Sequence, residues 1–170
     1  MNLLNLYFTP FATMLVLIAI YVSEPDPRPK YISLGILVAS LVVNHWFSRN
    51  TYRFVGWASR LKVIQIWLTF LWSVLLAYLL IPYWAPMWLL LTMPPVTAAL
   101  YQGRWQTLAA GMVCGLSVLG MYYLRQLSVG MPLGAEHWGQ AFCQAAFIPT
   151  LSLFVHALAQ TALRMRDMTR

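Results

Sequence analysis

Six long stretches of this chain contain no Asp, Glu, Lys or Arg, and this absence limits what the chain can fold into. The 11 Lys and Arg and the 4 Asp and Glu residues all lie between or beyond these apolar segments, which are 3–23, 31–47, 63–81, 87–101, 105–124 and 138–160. Charged residues make up only 9% of the chain, whereas soluble domains carry about 25%, so the chain cannot cover a surface in water. Because a transmembrane helix needs about 20 apolar residues, the sequence predicts an all-α polytopic membrane protein with one domain of six transmembrane helices over 1–170.

The positions of the basic residues predict how these six helices are oriented. Eight of the 11 Lys and Arg fall on one side of the membrane, namely Arg49, Arg53, Arg60, Lys62, Arg104, Arg164, Arg166 and Arg170. Since cytoplasmic loops carry the excess of positive charge, we expect both termini in the cytoplasm and a cytoplasmic helical tail over 161–170. The cations follow the membrane topology and form no separate patch, so the expected partner is the lipid bilayer and not a nucleic acid.

Residues for catalysis or metal binding are missing from the apolar segments. Intramembrane charges mark proton relays and ion paths, and none is present here. The chain also lacks the HExxH and GxSxG motifs, and Cys114 and Cys143 have no metal-ligand spacing. We therefore expect no enzyme activity, no catalytic residue, no cofactor and no metal.

Prolines mark two irregular places. The three prolines of 24–30 predict a short extended loop between the first two spans. Pro94 and Pro95 fall inside span four, which as an α-helix over 87–101 would be only about 22 Å long. Their missing backbone donors indicate either a broken helix that forms a ligand site or hinge, or a simple kink.

Small residues predict where helices approach closely. Gly111 and Gly115 form a GxxxG motif in span five, and Gly35 and Ala39 lie one turn apart in span two. Such pairs let another backbone approach in a membrane. The partner of each pair is either a second copy of the chain or another helix of the same bundle.

Span six holds the other candidate residues, Gln144, Pro149 and His156. They indicate either a polar cleft that senses protonation at His156 or hydrogen bonds between helices. The span continues without a break into the tail, with apolar or small residues spaced in a 4-3-4-3-4 pattern at Leu151, Val155, Leu158, Ala162, Met165 and Thr169. This pattern predicts a homodimer through the last helix, with a frayed basic helix end as the alternative.

The segment 93–124 resembles a recurring segment of the membrane input regions of bacterial sensor histidine kinases and diguanylate cyclases. The residues that carry the resemblance are Pro94, Pro95, Ala98, Ala99, Tyr101, Gly103, Arg104, Ala109, Ala110 and Gly111. The tail 159–167 is similar to the exit helix of such regions. The resemblance implies five or six spans in the cell inner membrane, with a final helix that leads to a cytoplasmic output domain or partner. The chain has no such domain before Arg170, so we expect either an input region of a longer protein or a stand-alone protein of similar membrane style.

These features favour a membrane-embedded sensory or anchoring module that relays a stimulus through the last helix. Pro94, Pro95, Gln144, Pro149 and His156 would be its hinge or relay residues. One alternative is a small-solute transport component, such as the substrate-binding membrane subunit of a vitamin-type importer, with a pocket framed by Tyr83, Trp84 and Trp88. Another alternative is a scaffold subunit of a membrane complex.

Overall fold

A computed structural model describes residues 9–50, 58–129 and 134–168, and all regular structure in these residues is helical. The elements in chain order are α1 (Thr9–Ser23), α2 (Pro27–Asn50), α3 (Ala58–Leu80), a 3₁₀ helix (Ala85–Thr92), α4 (Met93–Tyr101), α5 (Arg104–Val129) and α6 (Ala135–Met168). The predicted all-α class is therefore confirmed. Segments of α3, α5 and α6 are long and apolar enough to cross a membrane, which makes this a membrane protein.

The chain divides into two compact units, where the sequence predicts one six-helix domain. The N-terminal unit is Met1–Met93 and the C-terminal unit is Pro94–Arg170. In the N-terminal unit, α1, α2, α3 and the 3₁₀ helix pack around an apolar cluster of Leu15, Val16, Ala19, Ile20, Leu37, Leu76, Leu80, Met87, Leu90 and Met93. In the C-terminal unit, α5 and α6 pack along each other.

The predicted extended loop 24–30 is wrong in its second half, because α2 begins at Pro27. Proline is tolerated in the first turn of a helix, where backbone N–H groups have no helical partner. The carbonyl of Asp26 accepts the N–H of Lys30 at 3.1 Å and so begins the helix. Glu24 follows the last residue of α1 with φ 41°, the left-handed conformation that ends many helices.

A side-chain hydrogen bond joins the two turns at this end of the N-terminal unit. Tyr83 Oη donates to Asp26 Oδ2 at 3.0 Å, so the turn after α3 lies beside the turn between α1 and α2. The bond to the carboxylate raises the pKa of Tyr83 above its ordinary value, because it favours the protonated phenol. α1, α2 and α3 therefore alternate in direction.

Candidate functional site

Pro94 and Pro95 lie at a change of helix type. The 3₁₀ helix ends at Thr92 and α4 begins at Met93, so both prolines occupy the first turn of α4. Their missing N–H groups therefore remove no bond that α4 would make. The N–H of Met93 bonds to the carbonyl of Leu90, which is the carbonyl that a residue at position 94 would otherwise use. Both prolines are fully buried.

The GxxxG motif of α5 lies directly against α6. A Cβ atom added to Gly111 would lie 2.8 Å from Pro149 Cα and 2.9 Å from Ser152 Oγ. A Cβ atom added to Gly115 would lie 2.5 Å from the carbonyl oxygen of Ala145. These separations are far below ordinary carbon contacts, so only glycine fits at either position with α6 where it is.

The two glycines meet the part of α6 that Pro149 disturbs. Proline in a helix leaves the carbonyl four residues earlier without its N–H donor, and here that carbonyl belongs to Ala145. In lipid such a group needs another partner, and Gly115 brings the backbone of α5 against the Ala145 oxygen. The motif in α5 and the proline in α6 thus form one packing site, and α6 continues past Pro149 as one helix to Met168.

His156 bonds to the backbone of α4 within the same unit. Its Nδ1 lies 3.0 Å from the carbonyl oxygen of Ala99, and the side chain is buried. Ala99 is in the last turn of α4, where carbonyls lack helical donors. The usual donor, the N–H of Gly103, points instead to Gln106 Oε1 at 3.4 Å. Since a carbonyl only accepts, Nδ1 carries the proton, and His156 caps the C-terminus of α4.

Gln144 lies on another part of the α5–α6 interface. Tyr122 Oη donates to Gln144 Oε1 at 3.4 Å, and both side chains are buried. The hydrogen bond is long, so it adds little to the packing. The polar residues of α6 therefore contact α4 and α5 separately and do not converge on one point.

Other predicted residues are not brought into this site. Gly35 and Ala39 are exposed, and a Cβ atom added to Gly35 would meet no atom within 4 Å. Of the predicted aromatic pocket, Tyr83 is bound to Asp26. The tail positions Leu158 and Met165 are exposed on α6, and Thr169 lies outside the described residues.

A polar cluster in the N-terminal unit was missed by sequence reasoning. Gln65 Nε2 in α3 donates to Asn44 Oδ1 in α2 at 2.7 Å, and Asn44 Nδ2 donates to Thr9 Oγ1 in α1 at 3.0 Å. This chain of bonds, here called the amide bridge, joins all three helices at the end opposite to Tyr83. The available signal was that Gln65 and Asn44 are the only side-chain amides within spans two and three.

A cavity of about 70 Å³ lies beside the amide bridge. Its lining residues come from α1, α2, α3 and the 3₁₀ helix, together with Met93, the first residue of α4. Among the described residues that line it, none is charged. The cavity is therefore an uncharged, partly polar space inside an apolar unit.

The amide bridge consists of amide and hydroxyl groups that carry no charge. Within residues 9–50, 58–129 and 134–168, no group of three His, Cys, Asp or Glu side chains is placed to hold a metal ion. Where side-chain burial is described, over residues 9–46, 63–128 and 134–165, the buried polar side chains include no Asp, Glu, Lys or Arg. Comparisons with family models, with curated proteins and with solved structures found no match.

Proposed function

We propose that this protein is a sensory module of the cell inner membrane, which crosses the membrane six times and whose last helix carries a conformational change to the cytoplasm. The observation that carries the proposal is the length of α6. It is one helix of 34 residues, which at about 1.5 Å per residue extends about 51 Å. Since the hydrocarbon core is about 30 Å thick, α6 reaches well beyond it.

Contacts at the two ends of the N-terminal unit support an alternating topology. Tyr83 and Asp26 join the turns at one end, and the amide bridge joins α1, α2 and α3 at the other. α2 carries its charges only near its ends, at Arg28, Lys30 and Arg49. These features fit a three-helix hairpin that crosses the membrane three times.

The fourth predicted span consists of two helical segments of different type. A 3₁₀ helix rises about 2.0 Å per residue, so the eight residues Ala85–Thr92 extend about 16 Å. The nine residues of α4 extend about 13.5 Å at the α-helical rise. Since neither segment alone reaches the thickness of the bilayer core, the fourth crossing remains a prediction from the sequence.

α6 is also the helix through which a change inside the membrane would reach the tail. His156 connects α6 to the end of α4 by a hydrogen bond, and Pro149 packs α6 against Gly111 of α5. A shift of either contact would move the same helix, which continues through Arg164 to Met168. The proposed relay therefore runs from Pro94 and Pro95 at the start of α4, through His156, to the tail. The transport and scaffold hypotheses remain predictions from the sequence.

Spin-label distances test the relay. Ala162→Cys is labelled in a background with Cys114→Ala and Cys143→Ala, and inter-chain distances are measured in lipid nanodiscs. We expect one narrow, short distance distribution, because two continuous exit helices would pair through the exposed positions of the tail. A broad distribution, or no inter-chain signal, would contradict a paired relay through α6.

Cysteine accessibility tests the orientation. In the same background, single cysteines at His137 and Arg164 are treated in intact cells with a membrane-impermeant maleimide. We expect His137→Cys to react and Arg164→Cys to react only after the cells are opened, because the excess of Lys and Arg places 161–170 in the cytoplasm. The reverse pattern would contradict the proposed topology without bearing on the pairing of the tails.

A further inference from the structure

The cavity in the N-terminal unit has the dimensions of a small-molecule site. A cavity needs about 10–15 Å³ to admit one water molecule, so a cavity of about 70 Å³ can admit more than one water or a ligand of a few heavy atoms. Apolar cavities of this size stay dry, but this one has hydroxyl and amide groups in its walls. We therefore ask which ligand would match those groups.

The hydroxyl groups of the walls are hydrogen-bond acceptors. Thr13 Oγ1 donates its proton to the carbonyl of Thr9 at 2.8 Å, Ser40 Oγ to that of Leu37 at 2.7 Å, and Thr69 Oγ1 to that of Gln65 at 2.8 Å. A hydroxyl that has donated its one proton retains oxygen lone pairs. These three oxygens, on three different helices, can accept hydrogen bonds from a ligand in the cavity.

Trp72 supplies a hydrogen-bond donor that has no acceptor among the described residues. Its side chain lines the cavity, and its Nε1–H is buried with no hydrogen-bond acceptor among the residues that the structure describes. A buried donor without an acceptor is unfavourable in a protein and more so inside a bilayer. An acceptor on a guest molecule would remove this penalty.

We propose that the cavity between α1, α2 and α3 binds a small uncharged molecule that carries both a hydrogen-bond acceptor and a donor, such as an amide. The acceptor receives a hydrogen bond from Trp72 Nε1–H, and the donor makes a hydrogen bond to the hydroxyl oxygen of Thr69, which lies one turn before Trp72 on α3. A charged ligand does not match, because none of the described residues that line the cavity is ionisable and an unpaired charge would be desolvated there. The inference does not depend on the sensory role of α6.

Acetamide and acetate form a probe pair of the same shape that differ in charge. The full chain, with ¹⁵N-labelled indole groups, is studied in lipid nanodiscs by NMR, and the Trp72 Nε1–H resonance is assigned with Trp72→Phe. We expect acetamide to shift this resonance saturably and acetate to leave it unchanged. Trp67, an exposed residue of the same helix, is the internal control, and Trp67→Phe should leave the titration unaltered.

Two variants connect the response to the cavity. Thr69→Val keeps the shape of the wall and removes one acceptor, so we expect acetamide to bind severalfold more weakly. Ala12→Leu fills the space and should weaken binding at least tenfold; if that variant does not fold, the Thr69→Val result decides. The proposal is overturned if acetamide gives no saturable shift, if acetate gives the same shift, if Thr69→Val binds as well as the parent, or if only water or lipid protons contact Trp72.

Discussion

The two units of this protein use polar atoms between helices in opposite ways. In the C-terminal unit, Gly111 and Gly115 bring the backbone of α5 onto α6, and the contact leaves no room for a single methyl group. In the N-terminal unit, long side chains form the amide bridge, and a cavity remains beside it. Close backbone contact suits a rigid connection, whereas bridging side chains leave space that a guest can occupy.

Of the substitutions that test this comparison, Gly115→Ala should lower stability the most. The new Cβ would lie 2.5 Å from the Ala145 oxygen, a backbone atom that cannot turn away. We expect the free energy of unfolding in bicelles to fall by about 3 kcal/mol, at the upper end of overpacking effects. Gly120→Ala is the matched control on the same helix, since its Cβ would meet no atom within 4 Å. Equal losses for the two variants would mean that α5 does not contact α6 through Gly115.

His156→Phe should have the next largest effect. It leaves the Ala99 carbonyl without the donor that now lies at 3.0 Å, and an unpaired buried acceptor costs about 2 kcal/mol. His156→Asn is the conservative control, because its amide nitrogen can take the place of Nδ1. We expect unfolding measurements to show a smaller loss for Asn than for Phe. A loss independent of the donor would assign His156 to packing alone.

Asn44→Leu should have a smaller effect, confined to the N-terminal unit. It removes both bonds of the amide bridge, and hydrogen bonds between membrane helices contribute about 0.6 kcal/mol each, so we expect a loss of about 1 kcal/mol. Val42→Leu, at an exposed position of the same helix, is the control. Hydrogen exchange should show faster opening of α2 and unchanged protection of α5. Loosening of α5 in the Asn44 variant would contradict an effect confined to the N-terminal unit.

Tyr83→Phe should have the smallest effect, because its bond to Asp26 is exposed. The pKa of Tyr83 is raised in the folded protein, chiefly by this bond. Its contribution to stability is therefore complete below the ordinary tyrosine pKa of about 10 and is lost as the pH rises through the raised value. Unfolding of the parent and of the Phe variant should converge at alkaline pH, and a constant difference would show that the phenol proton is not involved.

The helical class and the apolar segments could be predicted because they depend on local composition. The contacts between helices could not be predicted, because they depend on how the helices are aligned in space. The GxxxG spacing identifies Gly111 and Gly115 as a contact surface, but nothing in that spacing selects Pro149 as the partner. The amide bridge depends on the register of α2 against α3, which brings together Asn44 and Gln65. The start of α2 was misjudged because Pro27 and Pro29 suit an extended loop and a first helical turn equally well.

The 3₁₀ helix at Ala85–Thr92 differs from an α-helix of the same residues in both its length and the angle at which it ends. A 3₁₀ helix has 3.0 residues per turn and an α-helix has 3.6, so each residue that changes type shortens the segment by about 0.5 Å and rotates its end by about 20°. If all eight residues changed, Thr92 would turn nearly half a revolution about the helix axis and move about 4 Å toward Ala85. Leu90, which lines the cavity, lies within the part that turns. A small change of helical pitch next to the cavity would therefore produce a large rotation at Thr92, the residue before Met93.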